Sequence, residues 1–468
     1  MRANRWWRSA PPELLVLTAL SFLTRCWRLY TPSERVWDEV HFEEFASRYF
    51  SGSYYIDVHP PLGKLLYALT AWLTGVSGTE LAQNVSAPQM RLLPAVLGSL
   101  LIPTFWWFLR ELGASRKVAA FGAALLLLDN AVLVQSRFVL LDILLVWFGL
   151  AAVAAFLAAR RSTGLARWGW LIGAALLAGA TASIKWTGLT ALGLIGLTWL
   201  IDAWRRRPAA PRRVAGELAV LVVLPAAVYL GSFAAHFALL PNDGIGVHWM
   251  PPEFAATRRG NPAYRADVHL SFVGEVAALH RVMLTSTRGM SAIEQPAASP
   301  WFTWPTAKHR IRFWQGIGDS AAEPRSIELL GNPVLWFGII AAIALFAVAL
   351  TLRRVAVGGH RDALVLLGAG YVMNFVPFAF ITRPMYLYHY TFALVYSAAL
   401  ASFVVGLMTG WQNEDAAPWR FASSRARALY VGTLLVVLAS FVYFAPLTYG
   451  TALSERAAAQ RAWMLESH

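Results

Sequence analysis

The sequence predicts an all-α polytopic membrane protein of about eleven transmembrane helices, with its chemistry on the extracytoplasmic loops. Hydrophobic residues fill 57% of its 468 positions and charged residues only 14%, whereas a soluble chain is roughly a quarter charged. Apolar runs of roughly 17–25 residues, long enough to cross the hydrocarbon core, recur along its length. Arg and Lys cluster after alternate runs, the pattern that marks cytoplasmic loops. The net charge of +14 is therefore read as loop charge and not as a nucleic-acid surface. Cys26 is the single cysteine, which excludes an intrachain disulfide and a cysteine-based metal site. The N-terminus is basic, but the first apolar run ends in Thr24-Arg25-Cys26-Trp27-Arg28, without the small residues of a signal-peptide cleavage site.

Arg2, Arg5 and Arg8 place the N-terminus in the cytoplasm, so the run over 13–30 exits on the outer side. A polar stretch with short amphipathic pieces continues to about 87, and a second span over 89–109 returns to Arg110, Arg116 and Lys117. The next stretch, 118–159, has basic residues at both ends and is too long for one crossing. It is read as a hairpin with its outer tip over 129–137. The same pattern recurs over 168–204, where Ser183-Ile184-Lys185 forms the tip and Arg205-Arg206-Arg207 marks the return. A span over 214–239 leads to the longest polar segment, 240–330, expected as an outer cap with helix near 268–284. Spans over 332–352, 363–381, 390–409 and 428–444 follow, separated on one side by Arg353, Arg354, Arg361, Arg420, Arg425 and Arg427. The organisation is an N-terminal transmembrane module (1–239) holding the first outer loop (31–87), a cap (240–330) and a C-terminal module (331–468) that ends outside. No fixed-period repeat is present.

This topology, drawn from basic loops alone, brings one set of polar residues to a single depth. Asp38, Glu39, Asp57, His59 and Lys64 lie in the first outer loop, Arg25 and Arg28 at the end of the first span, and Arg91 at the start of the second. Arg137 and Asp142 flank the first tip, Lys185 sits at the second, and Arg383, Tyr388 and His389 join the ninth and tenth spans. Taken singly, each has an ordinary reading. Arg25 and Arg28 suit snorkelling to headgroups, Arg137 with Asp142 a structural ion pair, and Lys185 beside Trp186 an interfacial anchor. His59 and His389 lack metal-ligand spacing and suit hydrogen bonding. Together, with cations outnumbering carboxylates, they make a site for an anion at the membrane boundary.

A lipid-linked phosphate is the anion available at that depth, and Arg forks and Lys point charges suit its oxygens. Such a phosphate leaves as a stable anion, so transfer of its substituent needs one carboxylate to take a proton from an acceptor hydroxyl. The adjacent Asp38-Glu39 pair supplies a base and a neighbour to orient the acceptor.

The motifs Val36-Trp37-Asp38-Glu39-Val40-His41-Phe42, Asp57-Val58-His59-Pro60-Pro61-Leu62-Gly63-Lys64, Met90-Arg91-Leu92-Leu93-Pro94, Ser136-Arg137-Phe138-Val139-Leu140-Leu141-Asp142 and Ser183-Ile184-Lys185-Trp186-Thr187-Gly188 occur in this order. With Ser299-Pro300-Trp301-Phe302-Thr303-Trp304-Pro305 and Tyr388-His389-Tyr390, they closely resemble the protein O-mannosyltransferases, a branch of the GT-C membrane glycosyltransferases. The resemblance implies inverting transfer of mannose from a polyprenyl-phosphate carrier to Ser or Thr hydroxyls of secreted or membrane proteins. It implies Asp38 as base, Glu39 as its acceptor-side partner, and Arg91, Lys185, Arg25 and Arg137 on the donor phosphate. Asp57, His59, Lys64, Asp142 and His389 are then expected to bind or orient substrate.

There are departures. The 240–330 loop has no room for the MIR domain of the eukaryotic enzymes, so a compact bacterial member of the cytoplasmic membrane is expected. Glu294-Gln295-Pro296-Ala297-Ala298-Ser299 lacks the His and Tyr often found before the Trp-rich part. No metal or other cofactor is expected, because the basic residues can neutralise the phosphate. The expected partners are the lipid donor, secreted polypeptides, membrane lipid and the secretion machinery. Two alternatives stand beside this reading. One is a related lipid-carrier glycosyltransferase using another sugar or acceptor; the other is a transporter of polyprenyl-linked sugar, against which stands the lack of paired halves or matching broken helices.

Overall fold

The computed structural model describes residues 10–78, 87–205, 211–289, 295–316, 325–413, 417–462 and 466–467. Arg2, Arg5, Arg8, Arg206, Arg207 and Glu294 lie outside the described residues. Helix α1 (Pro12–Cys26) leads to two loop helices, α2 (Glu39–Ser51) and α3 (Leu62–Leu73). Helices α4 (Leu92–Glu111), α5 (Arg116–Leu127), α6 (Asn130–Gln135), α7 (Asp142–Arg161), α8 (Gly164–Ile184), α9 (Leu189–Arg205) and α10 (Pro211–Leu239) complete the first module. The cap carries α11 (Phe272–Gly289) and strands β1 (His309–Gly316) and β2 (Arg325–Leu329). Then come α12 (Pro333–Thr351), α13 (Arg361–Phe375), α14 (Thr391–Thr409), α15 (Ser424–Tyr449), α16 (Glu455–Ala462) and the short strand β3 (Glu466–Ser467).

Among the described residues, nine helices are long and apolar enough to cross a membrane, and the protein is a multi-pass membrane protein. The two remaining expected spans correspond to α1 and α5, whose 15 and 12 residues reach only about 22 and 18 Å. Helix α5 is short because Asp129 follows it. The Asp129 carboxylate accepts from Val132 N at 2.9 Å, Trp336 Nε1 at 2.6 Å and Asn332 N at 3.2 Å, which caps α6 and ties it to α12. The expected hairpin tip is thus no exposed turn: Asp129, Asn130, Gln135, Ser136 and Arg137 are all fully buried.

Arginines at several helix ends are neutralised there by acidic residues of neighbouring helices. Arg116 grips Glu13 at 2.8 and 2.9 Å, Arg160 grips Asp202 at 2.6 and 2.8 Å, and Arg167 grips Glu217 at 2.7 and 2.9 Å. The two-residue connection between α7 and α8 makes that pair an antiparallel hairpin. Asp38 and His59 of the first loop lie within electrostatic reach of Lys185 in the turn between α8 and α9. β3 pairs with β1 at His309 and Arg310, so residues 466–467 lie on the cap.

The cap contains a sheet of order β2-β1-β3 that the helical expectation did not include, alongside α11, which does match the expected helix. In β1, Ile311 and Phe313 are buried while Arg312 is exposed, a period of two that suits a strand with one wet face.

Candidate active site

Helix α2 begins at Asp38. An aspartate in this place ordinarily accepts N–H bonds from the first helical turn. Here its backbone, at φ −73° and ψ 0°, is not in the extended capping conformation, and the side chain makes no capping bond. The carboxylate has no hydrogen-bond partner among the described residues. Burial pushes it above the usual carboxylate range; Lys185 and His41 oppose that, while Asp142 and Asp57 add to it.

Lys185 stands in extended backbone between α8 and α9, at φ −146°. Its turn is tight: a Cβ on Gly188 would lie 2.5 Å from the Thr181 carbonyl oxygen, so glycine is required there. Nζ donates to both Asp142 oxygens at 2.8 Å and lies 5.5 Å from the Tyr388 ring centre. The structural ion pair expected between Arg137 and Asp142 does not form; Asp142 belongs to Lys185.

The His-Pro-Pro-Leu-Gly-Lys segment folds around its own lysine. Lys64 Nζ donates to Asp57 Oδ2 at 2.5 Å, to the His59 carbonyl at 2.5 Å and to the Pro60 carbonyl at 2.8 Å. Its three hydrogens are occupied, so Asp57 and Lys64 shape the loop. Gly63 lets α3 approach the 137–141 turn, where a Cβ would meet Leu141 Cδ2 at 2.5 Å, and Tyr67 Oη donates to the Leu140 carbonyl at 2.6 Å. Burial, with Lys185, Lys64 and Arg383 nearby, holds His59 well below the usual imidazole range, so it is neutral at pH 7. His389 hydrogen-bonds through Nδ1 within its own turn at Tyr386, and its ring stacks on Trp304, centres 6.2 Å apart.

Glu39 and Arg91 take different positions from those expected. Arg91 Nε and Nη2 donate to Glu39 Oε1 and Oε2 at 2.9 and 2.7 Å, and both side chains are fully buried. The remaining Arg91 hydrogens go to the carbonyls of Leu29, Pro32 and Glu34 at 3.3, 2.6 and 2.9 Å. Glu39 also accepts from Val36 N at 2.8 Å and Val139 N at 2.9 Å. Neither retains a free donor or exposed oxygen for a substrate: the pair braces the loop under Asp38. Arg137 donates to the carbonyls of Arg25, Trp27 and Arg28 at 2.6–3.0 Å and lies over the Tyr449 ring at 4.7 Å, capping the C-terminal end of α1. Arg25 is fully buried, with one bond of 3.1 Å to Thr24 and with Nε and Nη2 unpartnered.

One cation was present in the outer set but not assigned. The partly buried Arg383 has no hydrogen bond or ion pair among the described residues, yet its charge acts on His59, Tyr386, Tyr388 and His389. The signal was its place in the short Thr382-Arg383-Pro384 link, at the same depth as Lys185. A cavity of about 300 Å³ is lined by Asp142, the partner of Lys185, and by His389, Thr190 and Asn374, with Leu145, Met373, Ile381 and Phe392 among its apolar walls. Among the described residues, no group of three or more His, Cys, Asp or Glu is placed to hold a metal ion.

The model of the dolichyl-phosphate-mannose-protein mannosyltransferases matches residues 15–241, and that of the C-terminal four-helix region of protein O-mannosyltransferases matches 272–467. Dolichyl-phosphate-mannose–protein mannosyltransferase 3 of Saccharomyces cerevisiae is 32% identical over 53% of this chain and 35% of its own length. Protein O-mannosyl-transferase 1 of Danio rerio is 33% identical over 66% of this chain and 44% of its own. The matches thus span less than half of these curated relatives. The S. cerevisiae protein O-mannosyltransferase Pmt1-Pmt2 complex bound to the sugar donor has the same fold, with a TM-score of 0.84 and 18% identity, covering 97% of this chain and 92% of that one. The motifs, the two family matches that together run almost end to end, and the shared helical architecture make this chain a member of the protein O-mannosyltransferase family, with the GT-C membrane fold.

Proposed function

We propose that the protein transfers mannose from a polyprenyl-phosphate carrier to Ser or Thr hydroxyls of polypeptides, with inversion at the sugar carbon. The observation that carries this reading is the Asp38 carboxylate, free of hydrogen bonds at a helix start and coupled to Lys185, whose partner Asp142 lines a largely apolar cavity. The apolar wall suits a polyprenyl chain, and Lys185 with Arg383 suits the phosphate. Asp38 removes the proton from the acceptor hydroxyl as that oxygen bonds to the sugar C1 and the C1–O bond to phosphate breaks. The proton ends on Asp38, and the carrier leaves as its phosphate anion. Asp142 holds Lys185 in place, His389 lines the cavity, and His59, neutral like His389, lies near Lys185 without adding charge. Glu39, Arg91 and Arg137 keep the loop rigid, so their part in donor binding is indirect.

The basic ion pairs at the opposite end of the bundle favour an extracytoplasmic site and a cytoplasmic N-terminus. We place the protein in the cytoplasmic membrane of a bacterium, acting on chains emerging from the secretion machinery. The test uses the purified protein in lipid nanodiscs, with labelled polyprenyl-phosphate mannose or glucose and a Ser/Thr-rich peptide. Mannose transfer is expected, insensitive to a chelator, and Asp38→Asn should lower kcat by roughly 10²–10⁴-fold without changing thermal stability. Transfer of glucose but not mannose, or full activity of Asp38→Asn, refutes the reading.

A further inference from the structure

The residue before the base has an uncommon backbone. Trp37 has φ +54°, a left-handed conformation that a bulky side chain adopts only when its surroundings impose it. Two contacts from the cap do so. In the β1–β2 ladder, Arg312 pairs with Glu328 and Trp314 with Ile327, so Phe313 is one residue too many for its partner strand. Bulges of this kind re-aim a side chain and leave a backbone group unpaired. The freed Phe313 carbonyl accepts Trp37 N–H at 3.1 Å. The Phe313 ring stacks on the Trp37 indole, centres 5.2 Å apart and planes 12° from parallel. The indole also meets Tyr386 edge-on at 6.3 Å, in the turn that carries Tyr388 and His389.

The conformation of the next two residues depends on that turn at Trp37. Asp38 enters α2 at ψ 0°, too far from the extended region for its side chain to cap the helix. Glu39 takes over the local bonding instead, its side chain accepting from Val36 N at 2.8 Å. The Asp38 carboxylate is thereby left for the site.

We infer that the Phe313 bulge is a positioning device for catalysis: it locks Trp37 in the left-handed conformation and so keeps the Asp38 carboxylate free beside the Lys185–Asp142 pair instead of capping α2. Phe313 and Trp37 are positioning residues, and the cap is wired through them to the base. The inference rests on the proposed transfer reaction, in which Asp38 is the base.

The test compares Trp37→Ala, Trp37→Gly, Trp37→Phe and Phe313→Ala with the unaltered protein in nanodiscs, measuring kcat, donor KM, pH dependence and thermal midpoint. Trp37→Ala and Phe313→Ala should lower kcat on the order of a hundredfold, the usual effect of a misplacement near 1 Å, with donor KM unchanged. Trp37→Phe keeps a ring on Phe313 and should retain most of kcat. Trp37→Gly loses the ring but adopts positive φ without strain, and should exceed Trp37→Ala by about fivefold. In Trp37→Ala, an Asp38 released to the helix N–H groups favours its anion. The acid limb of kcat then moves to lower pH, while Lys185, His41, Asp142, Asp57, Tyr386 and Tyr388, which face Asp38, are unaltered. Unchanged kcat in both alanine variants overturns the inference. So do equal Gly and Ala variants at position 37 with the acid limb unmoved, a comparison that decides the matter even if Phe313→Ala fails to fold. An unaltered protein that transfers no sugar removes the proposed function and this inference with it, whereas an active one with indifferent variants removes only the inference.

Discussion

Replacing Arg91 separates a brace from a donor ligand. The guanidinium is fully buried and its five N–H groups are all engaged, two on Glu39 and three on the carbonyls of Leu29, Pro32 and Glu34. In Arg91→Ala, Glu39 is left as a buried carboxylate held only by Val36 N and Val139 N. Removing one member of a buried pair typically costs about 3–5 kcal/mol, and the three orphaned carbonyls set the loss toward the upper end. Arg91→Lys keeps the charge but not the fork, so its loss should be intermediate. Arg91→Met combined with Glu39→Leu removes both charges and should recover most of the stability. Thermal unfolding in nanodiscs measures the first effect, and donor KM on the folded fraction measures the second. The structure requires a large drop in stability with an unchanged donor KM. An Arg91→Ala protein as stable as the original, with donor KM raised tenfold or more, would refute the brace and restore Arg91 to the phosphate.

Three further outcomes follow from the site. Arg383→Ala removes an unpaired cation and should raise donor KM roughly tenfold, about 1.4 kcal/mol, with little change in thermal midpoint; an unchanged donor KM removes Arg383 from the phosphate. Because burial raises the Asp38 carboxyl and a base must be ionised, kcat should fall as pH drops through that raised value, so its acid limb should lie above the ordinary Asp range near 3.8. An acid limb at or below that range contradicts the assignment. Glu43 is raised from 4.5 to about 7, chiefly by burial and then by Glu39, against the opposing ion pair with Arg35. The folded state therefore binds the extra proton, and its stabilising effect is lost as pH rises from about 4.5 to about 7. Glu43→Gln should flatten that part of the stability profile, as measured by unfolding temperature against pH.

The sequence by itself determined the membrane class, the placing of most spans, and the set of polar residues that meet at one end. Hydrophobic length and basic loops act locally, so the sites of Asp38, His59, Lys185 and His389 along the bundle were legible without a fold. It did not determine which charge meets which. Asp142 lies five residues after Arg137, yet its partner is Lys185 from the next hairpin. Arg91, matched by motif to the donor phosphate, is instead enclosed with Glu39. Residues at one depth still differ in the direction they face around the bundle, and that angle is set by helix packing, not by spacing along the chain. The span boundaries at Asp129 and the cap sheet were likewise decided in three dimensions. A buried aspartate ends a helix where α12 brings it partners, and the period-two pattern of β1 becomes a strand only where β2 and Trp37 complete its hydrogen bonds.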